Sequence, residues 1–224
     1  MKKWMRYTLL LVAVPLCVFV GFTLFRNRNY TVISILMASL ACIPFYFSFE
    51  KKSGSARRIV LVAVMTALCV AGRLVFAAIP GFKPVTAIVV ITALYFGAEA
   101  GFLAGSMTAL ISNIFYGQGP WTPFQMLVWG LLGFGAGLLA RWLKGGMPWL
   151  LVYGAFSGAA FSLMMDVWTV LALDGTFNWA RYGVAVTAAA PFMAMYALSN
   201  VVFLLALEWP IGSRLERIKT KYGL

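Results

Sequence analysis

The sequence contains no histidine. This absence excludes sites in which imidazole groups bind a metal, activate a serine nucleophile or relay protons across a membrane. No GxxxxGK[ST] phosphate-binding loop occurs, and the three cysteines lie inside apolar runs without CxxC spacing. We therefore expect no metal site, no cofactor and no ATP hydrolysis in this chain, and we interpret the cysteines as apolar packing residues.

Charged residues are also scarce. They make up 11% of the chain, hydrophobic residues make up 62%, and the mean hydropathy is +0.90. This composition excludes a soluble globular protein. The formal net charge of +12 comes from basic residues in short segments between apolar runs, where they indicate membrane topology rather than a nucleic-acid partner.

The apolar residues form eight segments, several of them about 20 residues long, which is the length that an α-helix needs to cross a bilayer. The fold class predicted is an all-α polytopic membrane helix bundle. We expect residues 1–50 to form two additional transmembrane helices and residues 51–224 to form a six-helix core. The eight segments are residues 7–25, 30–49, 57–79, 84–97, 99–117, 122–142, 148–173 and 181–208.

Two of these segments need comment. The first follows a basic N-terminus, as in a secretory signal peptide, but no small-residue cleavage site follows it, so we expect a retained span. The short fourth segment indicates either a tilted or broken helix, or a hairpin with the fifth segment through GAEAG at 97–101. Basic residues in the connections predict that both termini are cytoplasmic, because thirteen Lys and Arg then lie inside and four outside.

In that topology three outer connections, residues 78–84, 116–122 and 173–181, carry aromatic residues with glycine or proline. Aromatic residues at an interface are ordinary anchors, but their convergence here favours a ligand site. Trp121, Gln125 and Trp129 recur every four residues and so share one helix face. An amide between two indoles suits a large, flat, amide-bearing organic ligand, although Gln125 bonding a neighbouring backbone at a helix interface is the alternative.

Arg73 and Asp166 are the charged residues placed well inside predicted spans. An isolated charge there costs several kcal/mol, so the two either form a structural ion pair or face a wet cavity and the ligand. Asn200 is predicted to make a helix–helix hydrogen bond. No catalytic residue is expected, and the candidate substrate-binding residues are Arg73, Lys83, Asn113, Gln118, Trp121, Gln125, Trp129, Asp166 and Trp179.

Small residues recur at four-residue spacing. Ala63, Ala67 and Ala71 form an AxxxA ridge that suits either internal packing or docking to another membrane protein. GxxxG pairs in three other segments suit close helix packing inside the bundle; they comprise Gly97, Gly101 and Gly105, then Gly133 and Gly137, then Gly154 and Gly158.

The basic and alanine-rich stretch RRIVLVAVMTALCVAGRLVF is followed by an outer loop containing GFKP. From this start, residues of about 55 to 221 resemble the S components of energy-coupling factor (ECF) transporters, the substrate-binding subunits of prokaryotic vitamin-uptake systems. The stretch from Gly81 to Met126, which ends in NIFYGQGPWTPFQM, is most similar to the cobalamin-specific group.

The resemblance implies a multi-pass protein of the prokaryotic cytoplasmic membrane that is not an enzyme. It would bind cobalamin or a related corrinoid such as cobinamide from outside, with loop 78–84 as a gate. It would work with a transmembrane coupling subunit and two cytoplasmic ATPases, and the coupling subunit would contact the alanine ridge at Ala63 and Ala67, with Ala71 continuing it. The alternatives are another vitamin, riboflavin or pantothenate, or a stand-alone ion-coupled transporter.

Overall fold

The computed structural model describes residues 56–223 together with residues 39, 40, 42, 43, 45–47 and 49. The part of the chain from 56 to 223 contains seven helices and no strand. They are α1 (Ala56–Val75), α2 (Val85–Phe96), α3 (Ala98–Tyr116), α4 (Thr122–Leu138), α5 (Ala140–Leu143), α6 (Met147–Asp174) and α7 (Trp179–Tyr222).

All six apolar segments predicted for the core are helical, which confirms an all-α membrane bundle. Among the described residues α1, α6 and α7 are long and apolar enough to cross a membrane, and α2 and α4 are shorter apolar helices. The predicted spans 7–25 and 30–49 lie outside the described residues, apart from the helical positions between 39 and 49. The division of the chain at residue 50 therefore stays a prediction.

The central element is α2, where eleven of the twelve residues are buried. Its residues are apolar on every face, as expected for a helix surrounded by others, and it contacts α1, α3, α4, α6 and α7. Gly97 ends α2 and begins α3 with φ of 92°, a left-handed conformation that favours glycine. Of the two alternatives for the fourth segment, the structure therefore shows the hairpin.

The glycines of α3 and α4 form a seam at which the two backbones touch. A methyl group added at Gly101 would lie 2.7 Å from the Gly133 carbonyl oxygen, and one added at Gly105 would meet the backbone of Trp129. Gly158 of α6 packs in the same way against the backbone of α7 at Tyr196. The expectation that GxxxG pairs pack inside the bundle is confirmed at these positions.

The connections 76–84, 117–121 and 175–178 lie at one end of the bundle, which we call the loop end. The opposite end, which we call the α5 end, contains Gly97, α5 and the last turns of α7. Helix α7 runs 14 residues beyond the apolar segment that ends at residue 208. Residues 209–222 are too polar to continue an apolar run, yet they are helical and bury Leu215 and Gly212.

We predict that Gly101→Leu destabilises the bundle, because the side chain has no space at the α3–α4 seam. Overpacking of this kind typically costs about 1–3 kcal/mol. The measurement is the thermal unfolding midpoint of the purified protein in detergent. Gly183→Leu is the matched control, since a side chain there meets no atom within 4 Å; equal midpoints for the two variants would contradict the seam.

Candidate ligand-binding site

Arg73 lies near the loop end of α1 and is only 9% exposed. Its Nη1 donates hydrogen bonds to Ser112 Oγ and to Asn113 Oδ1 of α3, the latter at 2.8 Å. Its guanidinium carbon lies 4.4 Å from the ring centroid of Tyr116 and 5.1 Å from that of Trp129. The charge is therefore stabilised by neutral polar groups and by aromatic faces.

Asn113 of α3 also forms hydrogen bonds with two side chains of α4. Its Nδ2 donates to Gln125 Oε1 at 2.8 Å and to Thr122 Oγ1 at 2.9 Å. Thr122 in turn donates to Gln118 Oε1 at 3.0 Å, and Gln118 Nε2 donates to the Leu110 carbonyl oxygen at 2.7 Å. The predicted amide residues thus bond one another across α3, the turn and α4, and Gln125 bonds a side chain rather than a backbone group.

Next to Arg73 an aromatic wall joins three helices. Trp129 of α4 stacks on Phe161 of α6 with ring centroids 5.1 Å apart and an interplanar angle of 16°. Phe161 meets the edge of Tyr196 of α7 at 5.3 Å. Trp129 and Phe161 are almost fully buried, whereas Trp121, on the same α4 face, is 38% exposed and its ring lies over Gly119. The face therefore runs from the surface into the bundle.

Asp166 lies on α6, five residues after Phe161, and is 9% exposed. Its Oδ2 is buried and has no hydrogen-bond partner among the described residues. The part of the chain described contains no ion pair between Asp166 and Arg73. Tyr196 of α7 interacts electrostatically with both groups, so both lie near its side chain. A buried acceptor without a partner is costly, and a donor from a ligand would remove that cost.

The loop 76–84 is fastened to α7. The Lys83 backbone N–H donates to Ser199 Oγ at 2.8 Å, and the Ser199 hydroxyl bonds the Lys83 carbonyl oxygen at 3.0 Å. The ring of Phe203 lies 4.9 Å from the rings of both Phe76 and Phe82. The Lys83 ammonium nitrogen is 5.8 Å from the Tyr116 ring, and burial together with repulsion from Arg73 lowers the pKa of this ammonium group.

Two groups of predicted residues lie away from this cluster. Trp179 is 75% exposed and packs against Phe177 and Tyr182 at the α6–α7 turn. The alanine ridge of α1 is exposed along its whole length, at Ala63, Ala67 and Ala71. Of the two interpretations given to that ridge, its exposure favours docking to another protein over packing inside the described bundle.

A sequence model of the family described as "ECF-type riboflavin transporter, S component" matches residues 53–216, almost three quarters of the chain. The chain belongs to this S component family. A search of curated proteins and a search of solved structures found no match. S components are vitamin-binding membrane subunits that associate with an ECF module, so the family, the multi-pass membrane location and the type of partner agree with expectation. The finer resemblance to the cobalamin-specific group is not supported by this match.

Several residues that contact Arg73, the aromatic wall or the loop 76–84 were not predicted from the sequence. They are Ser112, Tyr116, Phe161, Tyr196 and Ser199. Ser112 and Tyr116 have a signal in the sequence, because they lie next to Asn113 at the polar end of the fifth segment. Phe161 and Tyr196 have none, since aromatic residues are common throughout the apolar spans. Asn200, by contrast, donates to the Gly154 carbonyl oxygen at 3.0 Å, which confirms the predicted helix–helix bond.

We predict that Ser199→Ala loosens the loop 76–84, because both hydrogen bonds to the Lys83 backbone are lost. A net loss of about 1 kcal/mol is expected for such a bond. Hydrogen–deuterium exchange of a peptide covering residues 79–86 should become faster. Ser213→Ala, at an exposed serine of α7, is the control; equal exchange in the two variants would show that Ser199 does not hold the loop.

Proposed function

We propose that this S component binds riboflavin for uptake through an ECF transporter. The observation that carries the proposal is Asp166 Oδ2, which is buried without a partner among the described residues. Asp166 interacts electrostatically with Tyr196, which forms an aromatic wall with Trp129 and Phe161. The isoalloxazine ring of riboflavin is flat and aromatic and carries an imide N–H with flanking carbonyl groups. A carboxylate suits the N–H, and an aromatic wall suits the ring.

Arg73 is proposed to meet a carbonyl group of the same ring. A guanidinium group carries five N–H donors, and the bonds to Ser112 and Asn113 both come from Nη1, so donors remain for a ligand. The amides of α3 and α4 support this role indirectly, since they fix Arg73 on one side. In this proposal Gln125 and Gln118 position other groups, and Trp121 and Lys83 lie at the rim.

Cobalamin is the second candidate, because the shared face of Trp121, Gln125 and Trp129 is expected to suit a large, amide-bearing ligand. A corrinoid is ringed with amides and would need amide side chains such as Asn113, Gln118 and Gln125 as bonding partners. These side chains bond one another or nearby groups in the structure, which leaves less of their capacity for an amide-rich ligand. Riboflavin therefore fits these side chains better than a corrinoid does.

We propose that the loop end faces the outside and that the α5 end faces the cytoplasm, since the basic connections lie at the α5 end. The exposed alanine ridge of α1 would then contact the transmembrane coupling subunit, which acts with two cytoplasmic ATPases. Small residues allow a partner helix to approach closely without a large loss of side-chain entropy. The loop 76–84 would open for the vitamin and close over it.

We predict that Trp129→Ala and Asp166→Asn each weaken riboflavin binding by about 1–3 kcal/mol, through loss of an aromatic contact and of a buried hydrogen bond. The measurement is quenching of riboflavin fluorescence on titration with purified protein. Trp179→Ala is the control, because this indole is 75% exposed and has no ring contact with Trp129, Phe161 or Tyr196 among the described residues. Unchanged affinity in both site variants would show that the wall and Asp166 do not contact the ligand.

For the ridge, we predict that Ala63→Leu combined with Ala67→Leu abolishes vitamin uptake while riboflavin affinity of the isolated protein is kept, because only the partner contact is blocked. Uptake of labelled riboflavin is measured in cells that contain the ECF module. The matched control is Ala190→Leu with Ala194→Leu, which are exposed on α7 at the same spacing. Normal uptake in the ridge variant would contradict coupling through this face.

A further inference from the structure

An apolar groove of about 610 Å³ lies at the α5 end, remote from the proposed vitamin site. One wall is a face of α6, on which Trp149, Val152 and Phe156 follow each other at helical spacing. The other wall comes from the end of α4 and from α5, where Trp142 projects. These four side chains are between 60% and 75% exposed, so they cover little of one another.

The stretch of α6 along the groove is shorter than the depth of one leaflet of a bilayer. From Trp149 to Phe156 the helix rises about 10 Å, and half of a hydrocarbon core measures about 15 Å. Two tryptophans, Trp142 and Trp149, lie at the end where headgroups would be, which is the usual position of indoles at an interface. A lipid acyl chain therefore fits the groove better than a ligand that spans the membrane.

Arg141 lines the mouth of this groove and is exposed. Within residues 56–223 no carboxylate forms a salt bridge with it. Its neighbour Lys144 differs, since its ammonium nitrogen lies 3.8 Å from Glu216 Oε2 and 4.0 Å from the Tyr95 ring. Among residues 56–223, Lys144 therefore has a carboxylate partner, whereas Arg141, which lines the groove, has none.

We propose that this groove binds an anionic phospholipid of the surrounding leaflet. The acyl chain lies along Trp149, Val152 and Phe156, and the headgroup phosphate contacts Arg141. Charge complementarity selects the anionic lipid, because Arg141 at the proposed cytoplasmic end meets the negatively charged leaflet. This site is separate from the vitamin cluster, so it stands whether or not riboflavin is the ligand.

The test is native mass spectrometry of the purified protein in detergent with added phosphatidylglycerol, and separately with phosphatidylcholine of the same acyl chains. We expect phosphatidylglycerol to bind at least about fivefold more tightly, which is the factor expected for one basic residue near an anionic headgroup. Arg141→Gln should remove this preference and Arg141→Lys should keep most of it. Arg217→Gln, at an exposed arginine of α7 outside the groove, is the matched control.

The groove itself is tested by Val152→Trp, which fills it from an exposed position. This variant should lower binding of phosphatidylglycerol by about fivefold or more with no change in the unfolding midpoint. Equal binding of the two lipids, equal effects of Arg141→Gln and Arg217→Gln, or full binding by the filled variant would each overturn the proposal. Riboflavin affinity should be unchanged in all these variants.

Discussion

The loop end of this bundle depends on the burial of one positive charge. A guanidinium group in an apolar surrounding is tolerated only where hydrogen-bond acceptors and aromatic faces replace water. Arg73 finds these on α3 and α4, which fixes the end of α1 against both helices. Asn113 transmits the constraint, because the same amide that accepts from Arg73 donates to Gln125 and Thr122 of α4.

This arrangement requires α3 and α4 to be unusually close, and the glycine seam makes that possible. Gly105 lies against the backbone of Trp129, so the indole of Trp129 is held within reach of Arg73 on one side and of Phe161 on the other. Packing in the middle of the bundle thus decides the position of an aromatic group near its end. The same wall reaches α7 through Tyr196, beside the segment to which the loop 76–84 is fastened.

Much of the fold can be predicted from the sequence because it depends on local patterns. Apolar length places the six core helices, and glycine spacing predicts close helix packing inside the bundle. GAEAG gives the hairpin between α2 and α3 as one of two alternatives. Apolar length does not predict the last turns of α7, because their residues are polar.

The site is harder to predict, because it depends on which side chains meet across helices. A buried arginine and a buried aspartate suggest either an ion pair or a shared ligand site. Arg73 bonds Ser112 and Asn113, and Asp166 has an oxygen without a partner among the described residues. Gln125 and Asn113 stand out as intramembrane amides, but their mutual hydrogen bond follows from the relative rotation of α3 and α4. No periodicity in one segment contains that information.

The measurement that tests the account most directly is calorimetric titration of the purified protein in detergent with riboflavin, followed by cobalamin, cobinamide and pantothenate under the same conditions. The account predicts saturable, submicromolar binding of riboflavin with one ligand per chain and much weaker binding of the others. Tight binding of a corrinoid with no binding of riboflavin would contradict the proposed ligand. It would also indicate that the amide side chains of α3 and α4 contact the ligand.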